Sequence, residues 1–196
     1  MIHRCRRIVL LLMCFTTVAV ATSMSPGELI ELGVTRLTKQ MLTERAMLAL
    51  DTEKLYALVD QELGPHLAVR KIARLVVGRH WKKATQAQQE EFTVGFRRLL
   101  IKTYAASIFE HVSEAKVEFK PFSIKKHSRT AIVRTLIRFD DGSKVPIDYK
   151  LLLGSEGQWL IYDVLISRLS LVINFRNSYG RIVKSGGFDA LLELLR

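Results

Sequence analysis

The chain has 196 residues, with Lys+Arg 30 against Asp+Glu 19 for a formal charge of +11, and 48% hydrophobic residues. That length encloses the core of one domain, and the hydrophobicity excludes a disordered chain. Cysteine occurs only at Cys5 and Cys14, which excludes a disulfide-stapled fold and a cysteine-rich zinc site.

The first segment reads as an address. His3-Arg4-Cys5-Arg6-Arg7 is a short basic stretch, Ile8 to Val20 is an apolar run broken only by Thr16 and Thr17, and Ala19-Val20-Ala21 gives a small-x-small cleavage pattern. Together they predict a secretory signal over residues 1–21, removed after Ala21. The run is shorter than the roughly 20 apolar residues of a spanning helix, and Met13 is too bulky for Cys14 to be a lipoprotein site. Removal takes Arg4, Arg6, Arg7 and both cysteines. A single domain over residues 22–196 remains, still basic and without a thiol, which suits an oxidising export compartment.

In that domain Ser25-Pro26-Gly27-Glu28 is a helix start, and Leu29, Leu32, Val34, Leu37, Met41 and Leu42 carry a 3.6 period that predicts a helix to about Leu50. Asp51 caps a second helix with a stripe of Leu55, Leu58, Val59 and Leu63, ended by Gly64-Pro65. A third helix is expected over His66 to Val77, closed by Gly78. Thr85 caps a long fourth helix, Gln86 to about His111, which completes a helical part over about 25–112. The sheet and C-terminal helices take about 113–196, where the period changes to 2. Val117, Phe119 and Pro121 alternate with charged neighbours. Val133, Thr135, Ile137 and Phe139 oppose Arg134 and Arg138 in the next strand. Asp140-Asp141-Gly142-Ser143 is a hairpin turn, followed by a strand with Val145, Ile147, Tyr149, Leu151 and Leu153 on one face. Ser155-Glu156-Gly157 turns into a fourth strand, Trp159 to Ile166. Ser170 starts a helix to about Lys184, Ser185-Gly186-Gly187 breaks it, and Phe188 to Leu194 is a last amphipathic turn or two. The fold class is α+β: helices, a four-stranded antiparallel meander, then helix.

Motifs of catalysis are missing from the sequence: no GxGxxG, GK[ST] phosphate loop, HExxH or GxSxG occurs. His66, His80, His111 and His127 are dispersed, without metal-ligand spacing to one another. Asp148 and Asp163, on neighbouring strands, are candidates for an acid–base pair or for structural roles, capping or pairing an arginine. The basic residues, among them Arg70-Lys71, Arg79, Lys82-Lys83, Arg97-Arg98, Lys125-Lys126 and Arg129, are spread out. Export argues against nucleic acid and toward acidic partners or anionic lipid headgroups. The apolar stripes fit either a filled core or the lining of a pocket for an apolar ligand.

Two stretches carry a family resemblance. One is Ile72-Ala73-Arg74-Leu75-Val76-Val77-Gly78-Arg79-His80-Trp81, followed by Thr85 to Phe92 and Tyr104. The other is Trp159-Leu160-Ile161-Tyr162-Asp163-Val164, followed by Ser170-Leu171-Val172-Ile173-Asn174-Phe175-Arg176. In order and spacing they resemble the MlaC family of periplasmic phospholipid-binding proteins, also called the toluene-tolerance or ABC-transporter auxiliary family, from Pro26 to the final helix. Two departures stand out: Ile166-Ser167-Arg168-Leu169 lacks a glycine usual in that loop, and Phe175 replaces a common tyrosine.

The resemblance implies a curved, nuclear-transport-factor-like sheet with helices around a deep apolar pocket. It implies no catalysis and no cofactor or metal. The protein would be a carrier in the Gram-negative periplasm, holding the acyl chains of a phospholipid (a diacyl lipid, or a hopanoid in some relatives). Its partners would be an inner-membrane MCE-domain subunit of an ABC transporter and an outer-membrane lipoprotein complex, and its role the maintenance of outer-membrane lipid asymmetry. A ligand-free adaptor of the transporter is the alternative. Stripes and resemblance together place Trp81, Phe96, Leu100 and Tyr104 on a helical wall. Val133, Thr135, Ile137, Val145, Ile147, Tyr149 and Leu151 form a sheet wall, with Val172 and Phe175 closing one end. Arg79, Arg168 and Arg176 are candidates for the headgroup or mouth, Arg176 alternatively pairing with Asp163.

Overall fold

The computed structural model describes residues 24–196; the predicted signal segment lies outside the described residues. Helix α1 spans Pro26–Thr43, started by a reciprocal cap in which Ser25 Oγ accepts from Glu28 N–H (3.3 Å) and Glu28 accepts from Ser25 N–H (2.8 Å). The helix expected to run on to Leu50 bends at Glu44 and restarts as α2, Arg45–Leu50. Hydrogen bonds from Glu44 N–H to Gln40 C=O and from Leu48 N–H to Glu44 C=O continue through the bend. Met41 and Leu48 stay buried on either side of it, so the apolar period carries no trace of the bend.

Helix α3, Thr52–Leu63, is capped by Asp51, which accepts from Lys54 N–H at 3.1 Å. A 3₁₀ turn at Gly64–His66 follows, and α4 covers only Val69–Val77. The third helix therefore starts later than its pattern suggests. Leu67 is drawn into a parallel bridge with Ile161, and Ala68 N–H donates to Ile161 C=O at 2.8 Å. This is where the helical part is stitched to the sheet. Gly78, at φ +63°, ends α4 in a backbone region that disfavours other residues. After a 3₁₀ segment, Gly78–Lys83, helix α5 runs Gln86–His111 with a reciprocal cap between Thr85 and Gln88.

The sheet is antiparallel with strands in chain order: β1 Ala115–Phe119, β2 Thr130–Phe139, β3 Lys144–Leu153, β4 Trp159–Ile166 and β5 Leu169–Ser170. The fifth strand is an addition to the expected four. It is two residues long and follows a tight turn in which Ser167 (φ 49°) and Arg168 (φ 69°) both sit in the left-handed region. So short a strand has no alternation to read. Pro121, expected in the first strand, lies just beyond it. Within β4, Asp163 pairs with Lys150 and Ile161 with Leu151, leaving Tyr162 as an extra residue. This bulge exchanges the faces of the strand on either side of it.

Helix α6, Leu171–Glu193, is capped by Ser170 Oγ accepting from Ile173 N–H at 3.1 Å. The expected break near Ser185-Gly186-Gly187 is present at Gly187 (φ 76°, ψ −173°), a conformation essentially confined to glycine. It folds the last residues back so that Leu191 and Leu192 join the core and Phe188 lies edge-on to Phe92.

Buried apolar side chains form three clusters. One joins α4, α5 and α6 around Phe92, Phe96, Trp81 and Tyr179. A second joins α1, α2, α3 and α5 around Met41, Leu55 and Ile101. The third joins the sheet to the first half of α1 through Ile30, Ala131, Val133, Leu151, Trp159 and Ile161.

Candidate functional site

The inner face of the sheet is a set of cross-strand rows. Val117, Ile137 and Val145 form one row, and Phe119, Thr135, Ile147 and Ile166 the next. Val133, Tyr149 and Val164 follow, then Ala131, Leu151 and Ile161. Helix α1 covers only part of this face. Val133 and Leu151, with Ala131 and Ile161, are core beneath Ile30. Ile137, Val145 and Ile147 belong to none of the three clusters, although all are at least half-buried. Toward that end a cleft of about 400 Å³ opens between the second half of α1 and β1. Val34, Leu42, Ala115, Val117 and Phe119 give it apolar walls, Thr35, Thr38 and Thr43 line it with hydroxyls, and Lys39 is its one cation.

This location divides the expected sheet wall. None of the expected sheet-wall residues lines the cleft itself: Thr135 and Ile147 are buried and Ile137 and Val145 half-buried in the rows that continue from Val117 and Phe119, whereas Val133 and Leu151 sit under α1. Tyr149 lies between, packed on the third cluster. Thr135 is buried and donates its hydroxyl to Ile147 C=O at 3.4 Å, so its polarity is absorbed by the backbone. Burial pushes the Tyr149 hydroxyl above the usual phenol value, with Thr135 beside it acting in the opposite sense. The α1–β1 side of the cleft was not legible from the sequence. Val34 and Leu42 read as an ordinary helix stripe, and nothing local separates a stripe over a gap from one over a core.

The expected helical wall lies elsewhere. Phe96 is fully buried, stacked on Phe92 (ring centroids 5.4 Å apart) and perpendicular to Phe175 (5.1 Å). Trp81 and Val172 are buried in the same cluster, and Leu100 packs on its border. Tyr104 is half-buried, and burial raises its hydroxyl's pKa.

Both strand carboxylates have structural partners. Asp163, 6% exposed, accepts from Lys150 Nζ (3.3 Å), Ser170 Oγ (2.8 Å) and Val172 N–H (3.2 Å). It is a second cap on α6, placed where the helix dipole favours an anion. Asp148 meets Arg134 across the strands at 3.7 Å. The alternative pairing of Arg176 with Asp163 does not occur: Arg176 Nε donates to Leu75 C=O at 2.6 Å. Arg79 and Arg176 line a second cleft, between the end of α4 and α6, while Arg168 stands exposed at the β4–β5 turn. No cluster of His, Cys, Asp and Glu among the described residues could hold a metal ion. Among the same residues, no helix is long and apolar enough to cross a membrane.

The chain is 21% identical over 185 residues to "Toluene tolerance protein ttg2D" of Pseudomonas putida, covering 94% of this chain and 84% of that protein. It is also 21% identical over 183 residues to "Intermembrane phospholipid transport system binding protein MlaC" of Haemophilus influenzae, covering 92% and 85%. Among solved structures, a phospholipid-binding protein from Ralstonia solanacearum in complex with a phospholipid matches at TM-score 0.79 and 27% identity, covering 88% of this chain and 95% of that one. The family model described as "MlaC protein" matches residues 33–196, and the chain belongs to the MlaC family.

Proposed function

We propose that this protein is a periplasmic phospholipid carrier, exported with a cleaved signal, whose acyl-chain site is the partly uncovered inner face of the sheet and the α1–β1 cleft above it. The observation that carries the reading is the row Val117–Ile137–Val145, apolar and half-buried but outside every packed cluster, at a cleft with apolar walls. The phospholipid bound to the Ralstonia structure supports it. Two long acyl chains kept from water amount to roughly 20 kcal/mol, at about 0.8 kcal/mol per methylene. A free lipid therefore almost never crosses an aqueous gap, and a protein cavity offering comparable burial removes that barrier without chemistry.

At about 400 Å³ the cleft lies at the low end of ligand pockets. Two acyl chains enter only as the second half of α1 moves off β1, while the Ala68–Ile161 bond keeps the rest of the helical part attached to the sheet. Val117, Phe119, Thr135, Ile137, Val145, Ile147 and Tyr149 then form the sheet wall, with Val34 and Leu42 of α1 opposite and Lys39 nearest the phosphate. Leu100 and Tyr104, and behind them Trp81, Phe96, Val172 and Phe175, join the lining only to the extent that the aromatic cluster loosens. The carrier exchanges lipid between an outer-membrane lipoprotein complex and an inner-membrane MCE-domain subunit of an ABC transporter, and so maintains outer-membrane asymmetry.

The test is uptake of a labelled diacyl phospholipid from vesicles. Ile137→Asp together with Val145→Asp is expected to cut uptake at least tenfold while the far-ultraviolet circular dichroism stays unchanged. Unaltered uptake in that folded variant would remove the site from this face.

A further inference from the structure

The second cleft has a different chemistry. About 610 Å³ in volume, it is lined by Val77, Gly78, Arg79, His80, Arg176, Asn177, Gly180, Arg181 and Lys184. It shares no residue with the α1–β1 cleft, and its α6 wall belongs to the helix that packs against β4 and β5, at the other edge of the sheet from β1. Four of its residues are Lys or Arg and none is acidic. Among the described residues, the side chains of Arg79, Arg176, Arg181 and Lys184 form no salt bridge. Arg181 and Lys184 also make no side-chain hydrogen bond, while Arg176 is held in place by Leu75 C=O.

A glycine supplies the second observation. Gly180 lies mid-way along α6, where glycine is about 1 kcal/mol less favourable than alanine. A Cβ added there would meet nothing within 4 Å. Packing therefore does not require this glycine; what its missing side chain does is deepen the cleft between the cations. Like charges brought together without acids repel one another, and an anion is what offsets that repulsion. Arginine in particular presents a planar fork of donors matched to phosphate oxygens.

We infer that this cleft is a binding site for a phosphate-bearing anion, separate from the acyl-chain site. Two sources present that chemistry, a free phosphate and the headgroup of an anionic phospholipid at a membrane surface. The proposal stands apart from lipid carriage, because no residue of the acyl site takes part in it.

Calorimetric titration with inorganic phosphate, and co-sedimentation with phosphatidylglycerol/phosphatidylcholine vesicles against pure phosphatidylcholine vesicles, separate the sources. Saturable binding of inorganic phosphate supports a free ligand. Binding confined to phosphatidylglycerol vesicles supports the headgroup. In either case Arg181→Ala with Lys184→Ala should weaken binding at least tenfold and flatten its salt dependence. Gly180→Leu, which leaves the charge unaltered and favours the helix, should weaken it similarly by filling the cleft. Lys125→Ala with Lys126→Ala, on an exposed loop elsewhere, should leave it within twofold. Absence of binding to both probes overturns the proposal. So does an equal loss in the two double variants, or full binding by folded Gly180→Leu, since each would show only the field of a basic protein.

Discussion

Asp163 illustrates how a residue with catalytic looks is claimed by structure. Its carboxylate meets Lys150, Ser170 and the Val172 N–H in a buried setting, so no oxygen is left facing a substrate. Asp163→Ala strands Lys150 and leaves a backbone donor of α6 unpaired, and should cost about 3 kcal/mol in a denaturant titration. Ser170→Ala, which removes only a cap, should cost about 1 kcal/mol. Both variants, where folded, should take up lipid like the parent; a selective loss of uptake would give Asp163 a part in the site. A second residue-scale test concerns Tyr179, whose hydroxyl is pushed up to about 12 by burial. An acid whose pKa is higher in the folded state favours folding below its unfolded value near 10, and that contribution is lost as pH rises through the folded value. Thermal stability should therefore fall between about pH 10 and 12, by on the order of 1 to 2 kcal/mol from this group. Tyr179→Phe should flatten the fall; an identical pH profile in the variant would assign it to other groups.

At the scale of elements, caps and turns were the most legible features. Ser25, Asp51, Thr85 and Ser170 each start the helix their local chemistry suggests, and Gly187 breaks α6. Gly187→Ala should cost about 1–3 kcal/mol, because alanine cannot adopt that conformation without strain. It should also loosen the C-terminal return that seats Phe188 on Phe92, visible as faster amide exchange over 188–195; unchanged exchange would mean that the return is held by its packing alone. Features that depend on distant partners were hidden. Simple alternation puts Asp163 on the same face as Trp159 and Ile161, and only the bulge at Tyr162 turns it toward Lys150. The bend at Glu44 keeps the apolar period on both sides, and Leu67 leaves its helical pattern because the sheet takes its backbone.

For the whole molecule, the decisive property is how the apolar surface is shared among three clusters rather than one. The apolar residues of α5 and of the sheet carry no sign of how each is covered, yet Phe96 is sealed in an aromatic cluster while Ile137 and Val145 lie outside all three. No local pattern distinguishes them, since the difference rests on which helix covers which row. Phe96→Ala should consequently act as a core deletion, costing about 3–5 kcal/mol. The double change at Ile137 and Val145 should act mainly on lipid uptake.

Native mass spectrometry of the purified protein, followed by solvent extraction and identification of the released lipid, decides whether the protein carries phospholipid. The account predicts a one-to-one adduct that dissociates into a diacyl phospholipid and is lost in the Ile137→Asp/Val145→Asp variant. A clean unliganded mass, with no uptake from labelled vesicles, would contradict it.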